Sequence, residues 1–134
     1  MRVIVDTSVW SLALRRQNAP NQDPKVALLR DLILDSRVAL LGVVRQEILS
    51  GIRHQNQYER LQKELRKFPN LELFIEDYEL ASQFYNTCRS HGVQGANTDF
   101  LICAAAVLRN YEILTTDKDF DNFSPYVPIR LINH

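Results

Sequence analysis

Short apolar runs that favour β-strands alternate along this 134-residue chain with longer segments of helical periodicity. The strand-like runs are VIVD, RVALLG, LELFI and EILTTD, and VPIRLIN near the end of the sequence is typical of an edge strand. The segments between them have the length and the apolar spacing of helices. This alternation predicts a three-layer α/β fold, in which a mostly parallel central sheet of four or five strands has helices on both faces.

The size and composition of the chain predict one domain, residues 1–134, rather than two. The formal net charge is zero, so a nucleic-acid partner would have to be bound by a local basic patch instead of an overall positive field. The longest apolar run, from Phe100 to Leu108, is far shorter than the roughly 20 residues that span a bilayer. We therefore expect a cytosolic protein without a membrane partner, and the first residues do not have the pattern of a signal peptide.

Two cysteines, Cys88 and Cys103, lie in apolar helical segments and do not form a C-x-x-C motif. We expect both to be buried free thiols. The three histidines are too scattered to form a metal site with these cysteines or with one another.

Four acidic residues occupy positions that are unusual for solvated side chains. Asp6 ends the first strand and Asp117 ends EILTTD, and the carboxyl ends of parallel strands share one edge of a sheet. Glu47 stands among the apolar positions of its helix, and Asp99 lies in the first turn of the most apolar helix. Three of the four have a structural alternative: Glu47 as half of a buried ion pair, Asp99 as a helix cap, and Asp117 as a turn residue.

Carboxylates that converge at one sheet edge repel one another unless a cation lies between them. A site built from oxygen ligands alone suits Mg²⁺, or Mn²⁺, better than zinc, and it leaves positions for water and phosphate oxygens. The acids therefore predict a metal site that acts on a phosphate. Asp119 follows Asp117 closely enough to replace it or to assist it, and the number of ions, one or two, stays open.

Four segments, VDTSVW, RQEILSG, NTDFLICAAA and LTTDKDF, resemble in sequence and order the PIN-domain ribonucleases, in particular the VapC-type toxins of bacterial toxin–antitoxin pairs. The resemblance covers essentially the whole chain. It implies a metal-dependent endoribonuclease in which water attacks an RNA phosphodiester and leaves 5′-phosphate and 3′-hydroxyl ends. It also implies a homodimer that a small antitoxin neutralises over the acidic groove. The residues implied as catalytic and as metal ligands are Asp6, Glu47, Asp99 and Asp117.

Neighbouring side chains are candidates for support and for RNA contact. Hydroxyl groups beside the acids can orient carboxylates or water, although helix capping and strand termination explain them equally well. These candidates are Thr7, Ser8 and Thr116, with Asp119 as a further acid. Arginines on the elements that carry Asp6 and Glu47 can contact phosphates, and these are Arg15, Arg16, Arg45 and Arg53.

Three rival interpretations also fit part of the pattern. A phosphohydrolase of the haloacid dehalogenase type begins with an Asp at the end of its first strand, but it needs a second Asp two residues later, where this chain has Ser8. A phosphoacceptor of the response-regulator receiver type needs paired acids after its first strand, and Asp6 stands alone. A catalytically idle PIN-like module that only binds a partner requires that the four acids do not converge.

Overall fold

The computed structural model describes residues 1–15 and 23–132, although not the side chain of Arg15. All the helices that the periodicity predicts are present, with ends that differ from the predicted ones. In chain order the elements are β1 (Val3–Val5), α1 (Thr7–Arg15), α2 (Pro24–Leu34), β2 (Val38–Ala39), α3 (Gly42–Leu49), α4 (Gln55–Leu65), α5 (Ile75–Ser90), α6 (Asn97–Arg109), β3 (Glu112–Leu114) and α7 (Asp119–Phe123).

Strand β1 is the centre of a parallel sheet with the strand order β2-β1-β3. Val3 is aligned with Val38 on one side and with Glu112 on the other, and Val5 is aligned with Leu114. All three residues of β1 are 0% exposed, so helices cover both faces of the sheet, as in other parallel sheets. The predicted α/β fold with a parallel sheet is confirmed.

The predicted number of strands, four or five, is wrong, because the described residues form a sheet of three. The segment LELFI touches the sheet only at its beginning, where Asn70 forms an isolated bridge with Leu40 and the amide of Leu71 donates to the Leu40 carbonyl at 2.7 Å. The amide of Phe74 instead donates to the Asp77 carboxylate at 2.8 Å, and α5 begins at the next residue. This capping contact ends the extended segment before it can pair further.

The second missing strand, VPIRLIN, also makes a single bridge, between Leu131 and Ile113 of β3. The amide of Ile113 donates to the Arg130 carbonyl at 2.9 Å, and the amide of Ile132 donates to the Ile113 carbonyl at 3.0 Å. Pro128 has no N–H to donate, which limits pairing on the preceding side. The segment therefore lies along the edge of β3 without forming a full strand.

Helix α6 forms the centre of the core. Its residues from Phe100 to Ala106 are all buried, and the helix packs against β1, β3 and α5, which confirms the predicted buried helix. Cys103 on α6 and Cys88 on α5 are both 0% exposed and are free thiols, as the sequence predicts. Within the described ranges, neither α6 nor any other helix is long and apolar enough to cross a membrane.

The segment DKDFDNF, which follows β3 and a short connection, contains the short helix α7. Phe120 and Phe123 of this helix are 0% exposed, and the Phe123 ring packs on the ring of Phe100 with centroids 4.7 Å apart. This aromatic contact holds the start of α7, which carries Asp119, against the start of α6, which carries Asp99. The fold thereby brings two acidic residues from separate helices to one place.

Candidate active site

Asp6 lies at the carboxyl end of the central strand and is buried, with only 5% of the residue exposed. Its amide donates to the Leu114 carbonyl at 2.9 Å, and its own carbonyl accepts the amide of Val9 as α1 begins. The hydroxyl groups of Ser8 and Thr115 both donate to Asp6 Oδ2, at 2.7 and 2.9 Å. Two donors on one oxygen fix the orientation of the carboxylate and satisfy part of its hydrogen-bonding capacity in a buried position.

Thr115 is a site residue that the sequence interpretation missed in favour of its neighbour. The hydroxyl of Thr115 donates to Asp6 and accepts the amide of Asp117 at 2.9 Å, whereas Thr116 is exposed and reaches the site only through its amide, which donates to Ser8 Oγ at 3.0 Å. The register of β1 against β3 places Asp6 beside Thr115. Of the two threonines, Thr115 supplies the hydroxyl group beside Asp6, a distinction that two adjacent threonines at a strand end do not reveal.

Three carboxylates lie close together at this edge of the sheet. One oxygen each from Asp99, Asp117 and Asp119 lie within 4.8 Å of one another. Asp117 Oδ1 accepts the amide of Asp119 at 2.9 Å, which turns the chain from the end of β3 into α7. Asp119 therefore joins Asp117 in the cluster and does not replace it. In the described part of the chain Asp6 is not in this group of three, but it lies near enough for its charge to raise the pKa of Asp99.

The surroundings of the Asp99 carboxyl disfavour its charged form. Burial of the Asp99 carboxyl, together with the negative charges of Asp6, Asp117 and Asp119, raises its pKa to about 6. The amide of Ala96 donates to Asp99 Oδ2 at 3.4 Å and opposes this shift. Asp99 therefore caps its helix and also belongs to the acidic cluster, so the two alternatives for this residue both hold.

Glu47 does not have the buried environment that its place in the helical pattern predicts. Val44 and Ile48 form the buried face of α3, while Glu47 at the border of that face is exposed. Its Oε1 accepts a hydrogen bond from Thr7 Oγ1 at 2.7 Å, which links α3 to the start of α1 directly after Asp6. Glu47 is thus a neighbour of the Asp6 segment, but in the described part of the chain it is not in the group of carboxylates within one ion's reach.

The four arginines predicted to contact RNA have different environments. The guanidinium of Arg45 donates to the side-chain oxygen of Asn70 and to the carbonyls of Leu65 and Phe68, so it joins α3 to the segment after α4. We correct its role to a structural one. Arg53 is exposed, the side chain of Arg15 is not described, and the last of the four, Arg16, lies outside the described residues.

Gly95 positions the start of α6, because an added Cβ at this residue would lie 2.5 Å from Cζ of Phe123 and 3.0 Å from Cε2 of Phe100. Gly95→Ala should therefore lower the free energy of unfolding by about 1–3 kcal/mol through overpacking. It should also lower RNA cleavage, since Asp99 follows four residues later. Denaturant titration and a cleavage assay test this. Gly51→Ala is the control, because an added Cβ at Gly51 meets no atom within 4 Å and only the positive φ of this residue disfavours alanine. Equal activity of Gly95→Ala and wild type would contradict the positioning role.

The geometry of a parallel sheet with acids at its carboxyl edge agrees with the comparison to known proteins. Residues 3–124 match the model of the PIN domain family. The chain is 30% identical over 123 residues to VapC ribonuclease Mb1587 of Mycobacterium bovis and to ribonuclease VapC11 of Mycobacterium tuberculosis, which covers 89% of this chain and 89% of each relative. The chain therefore belongs to the PIN domain family and, within it, to the VapC-type ribonucleases, as the resemblance of its motifs indicates.

Solved structures show the same fold at lower sequence identity. FitAcB from Neisseria gonorrhoeae has a TM-score of 0.75 and 24% identity, covering 98% of this chain and 96% of that one. VapBC2 from Rickettsia felis, bound to a DNA fragment from its promoter, has a TM-score of 0.78 and 16% identity, covering 100% and 99%. These matches support the three-layer arrangement described above.

Proposed function

We propose that this protein is a metal-dependent endoribonuclease that acts as the toxin of a toxin–antitoxin pair. The observation that carries the proposal is the convergence of Asp99, Asp117 and Asp119 next to Asp6, in a chain that belongs to the VapC-type ribonucleases. Like charges at such distances destabilise a folded protein unless a cation lies between them. Burial, and to a smaller extent the neighbouring acids, raise the pKa of Asp99, and such shifts are typical of functional sites.

The donor set fits a small, hard divalent cation. The cluster offers carboxylate oxygens within 4.8 Å of one another, and carboxylate oxygens are the ligands that Mg²⁺ binds in proteins. Among the described residues no histidine or cysteine belongs to the group, which favours Mg²⁺ or Mn²⁺ over zinc. Asp6, Asp99, Asp117 and Asp119 would hold the ion, directly or through water.

When bound, the cation lowers the pKa of a coordinated water and offsets the charge on the phosphoryl oxygens. The protein supplies orientation. Ser8 and Thr115 occupy Oδ2 of Asp6 and leave Oδ1 for the ion or for a water molecule. The hydroxyl of Thr115 also holds the amide of Asp117, so one side chain fixes the positions of two acids. We propose that these groups align a water for in-line attack on an RNA phosphodiester, which leaves 5′-phosphate and 3′-hydroxyl ends.

The proposed partners follow from family membership. We propose that the protein acts in the cytosol, forms a homodimer and is neutralised by a small antitoxin that covers the acidic groove. Several large apolar residues around the start of α5 and the end of α6 are exposed, and such patches are typical of protein contacts. They are Phe74, Ile75, Tyr78 and Leu108.

Two of the alternative functions fit the structure less well. The haloacid dehalogenase mechanism needs a second acid at the position of Ser8, and here the Ser8 hydroxyl instead donates to the Asp6 carboxylate. An idle binding module has no need for clustered acids, whereas Asp99, Asp117 and Asp119 converge. The metal-dependent nuclease accounts for both observations.

Labelled RNA incubated with the purified protein should be cleaved in Mg²⁺ or Mn²⁺ and remain intact in EDTA. Asp6→Asn should lower the cleavage rate at least about 100-fold, because losing even an outer contact to a metal site costs 10- to 100-fold. Asp35→Asn, which changes an exposed acid at the far end of α2, should cleave like wild type. Wild-type protein expressed without a partner should arrest growth, and Asp6→Asn should not.

Two outcomes would contradict the proposal. Cleavage that persists in EDTA would remove the metal from the mechanism. Equal cleavage, or equal toxicity, by wild type and Asp6→Asn would show that the acidic cluster does not carry the activity.

A further inference from the structure

A groove of about 440 Å³ lies beside the acidic cluster, beyond the carboxyl end of β3, where the residues that follow this strand line it together with Leu131 and Ile132. Asp117 and Thr116 line the side that faces the cluster, and two lysines, Lys25 and Lys118, line the same groove together with Asp121. The side chains that the sequence predicts to contact RNA are all arginines, so neither lysine is among them. In this groove, positively charged side chains are therefore adjacent to the acidic cluster.

Lys25 is held in place and is not a freely moving surface lysine. It is the second residue of α2, it is half-buried, and its Nζ donates to the Thr115 carbonyl at 2.6 Å. The hydroxyl of the same Thr115 donates to Asp6. Thr115 thus contacts both the ammonium group and the carboxylate that we place in the metal site. An ammonium group has three N–H donors, so this bond does not use its full capacity, and a side chain that is already held loses less entropy when a ligand binds.

The charge distribution of the protein favours local cations for RNA binding. The net charge of the chain is zero, the acidic cluster itself repels phosphate, and Arg45 already donates to the protein. A lysine ammonium binds phosphate as a point charge without requiring a particular base. Lys25 and Lys118 supply such cations in the groove next to the acidic cluster.

We propose that Lys25 and Lys118 bind a backbone phosphate of single-stranded RNA next to the phosphodiester that is cleaved, and that the RNA strand follows the groove at the carboxyl end of β3. This inference rests on the proposed ribonuclease function. Asp121 stands in the same groove and weakens the binding, so its charge opposes that of the two lysines. The contact contributes affinity for any RNA sequence, and it does not select bases.

Binding of fluorescein-labelled oligouridine by fluorescence anisotropy tests the proposal in the cleavage-deficient Asp6→Asn protein with Mg²⁺ present. Lys25→Met and Lys118→Met should each weaken binding about three- to fivefold. Each should also make the plot of log K against log[salt] shallower by about 0.7, the value for one lost phosphate contact on a single strand. Lys25→Arg should retain most of the affinity, and Asp121→Asn should tighten binding about twofold.

Lys67→Met is the matched control, because Lys67 lies beside β2, beyond the opposite edge of the sheet, where it pairs with Glu64. It should bind RNA like the parent protein. A lower melting temperature for Lys25→Met with an unchanged salt slope would overturn the proposal and leave its bond to Thr115 as purely structural, and unchanged binding by Lys118→Met would overturn it independently. If wild type cleaves RNA while these slopes stay unchanged, only this inference fails; if wild type does not cleave RNA, the proposed function fails first.

Discussion

Asp99→Asn should melt at the same temperature as wild type, or at a higher one, in EDTA, and it should lose both RNA cleavage and stabilisation by Mg²⁺. The asparagine keeps the shape of the side chain and an oxygen that can accept the Ala96 amide, so the helix cap is retained. It removes the charge that burial and the neighbouring acids make unfavourable. A residue that only capped its helix would give the opposite result in EDTA, a loss of stability.

The pH dependence gives the same prediction a second measurement. The ordinary pKa of an aspartate is 3.8, and the pKa of Asp99 is raised to about 6 in the folded protein. Between these two pH values the native state therefore holds a proton on Asp99 that the unfolded state has released. Stability from this group is therefore fully present below about pH 3.8 and is lost as the pH rises to about 6. In EDTA, the stability of wild type should fall more steeply over this range than that of Asp99→Asn.

At neutral pH, Mg²⁺ should make wild type more stable than Asp99→Asn, which reverses the order expected in EDTA. An ion that binds only the native state stabilises it by RT ln(1 + [L]/Kd), about 2.7 kcal/mol at a hundredfold excess over Kd. Wild type and the exposed control Asp35→Asn should show this gain in melting curves with Mg²⁺, whereas Asp99→Asn should show little of it. A variant that is clearly less stable in EDTA yet equally stabilised by Mg²⁺ would assign Asp99 to helix capping alone.

The parts of the fold that could be predicted from the sequence are those that local patterns encode. Helix periodicity identified all the long helices, and the apolar runs identified the three strands. Both signals are local, because the spacing of apolar residues along the sequence determines which faces of an element can be buried. The two strands predicted in excess, LELFI and VPIRLIN, have the right composition but make only single bridges. Pairing depends on distant partners and on competing contacts, such as the bond from the Phe74 amide to Asp77, which no local pattern reveals.

The candidate site shows the same division. Asp6, Asp99 and Asp117 could be proposed because their positions at element ends are visible in the sequence. The distinction between Thr115 and Thr116 depends on the register of β3 against β1, which is a property of the assembled sheet. The exposure of Glu47 depends on the rotation of α3 in its environment.

Cations were the least predictable part of the site. Arg45 lies on the helix that carries Glu47, yet its guanidinium donates to carbonyl groups of the chain itself. Lys25 lies far from every acidic motif in the sequence and reaches the site only because α2 begins next to the end of β3. Long side chains can reach several partners, so their contacts depend on the tertiary structure.

The second large effect is expected at the opposite end of α6, where Asp77 of α5 forms a buried ion pair with Arg109. Asp77 is 1% exposed, and Arg109 donates to both of its carboxylate oxygens, at 2.5 and 2.9 Å. The guanidinium also donates to the carbonyls of Ala105 and Glu72, so it joins α5, α6 and the segment before α5. Planar, bidentate contacts of this kind are specific to arginine.

Asp77→Ala should lower the free energy of unfolding by about 3–5 kcal/mol, because removing one partner leaves the other charge buried without compensation. Arg109→Ala should have a similar effect. The double variant Asp77→Ala/Arg109→Ala should lose clearly less than the sum of the two, since both single changes remove the same interaction. Urea titration of the four proteins gives these values, and Glu64→Ala, which breaks an exposed pair with Lys67, should unfold like wild type.

The pH dependence of this pair has the opposite sign to that of Asp99. Hydrogen bonds from Arg109 hold the pKa of Asp77 below its ordinary value of 3.8, so the folded state favours the charged carboxylate. The stability it contributes is present above about pH 3.8 and is lost as the pH falls through the lowered pKa. Acid titration should therefore destabilise wild type more than Asp77→Ala below this pH. Additive losses in the double variant, with the same acid sensitivity in wild type and Asp77→Ala, would show that the two helices are held by apolar packing and not by this pair.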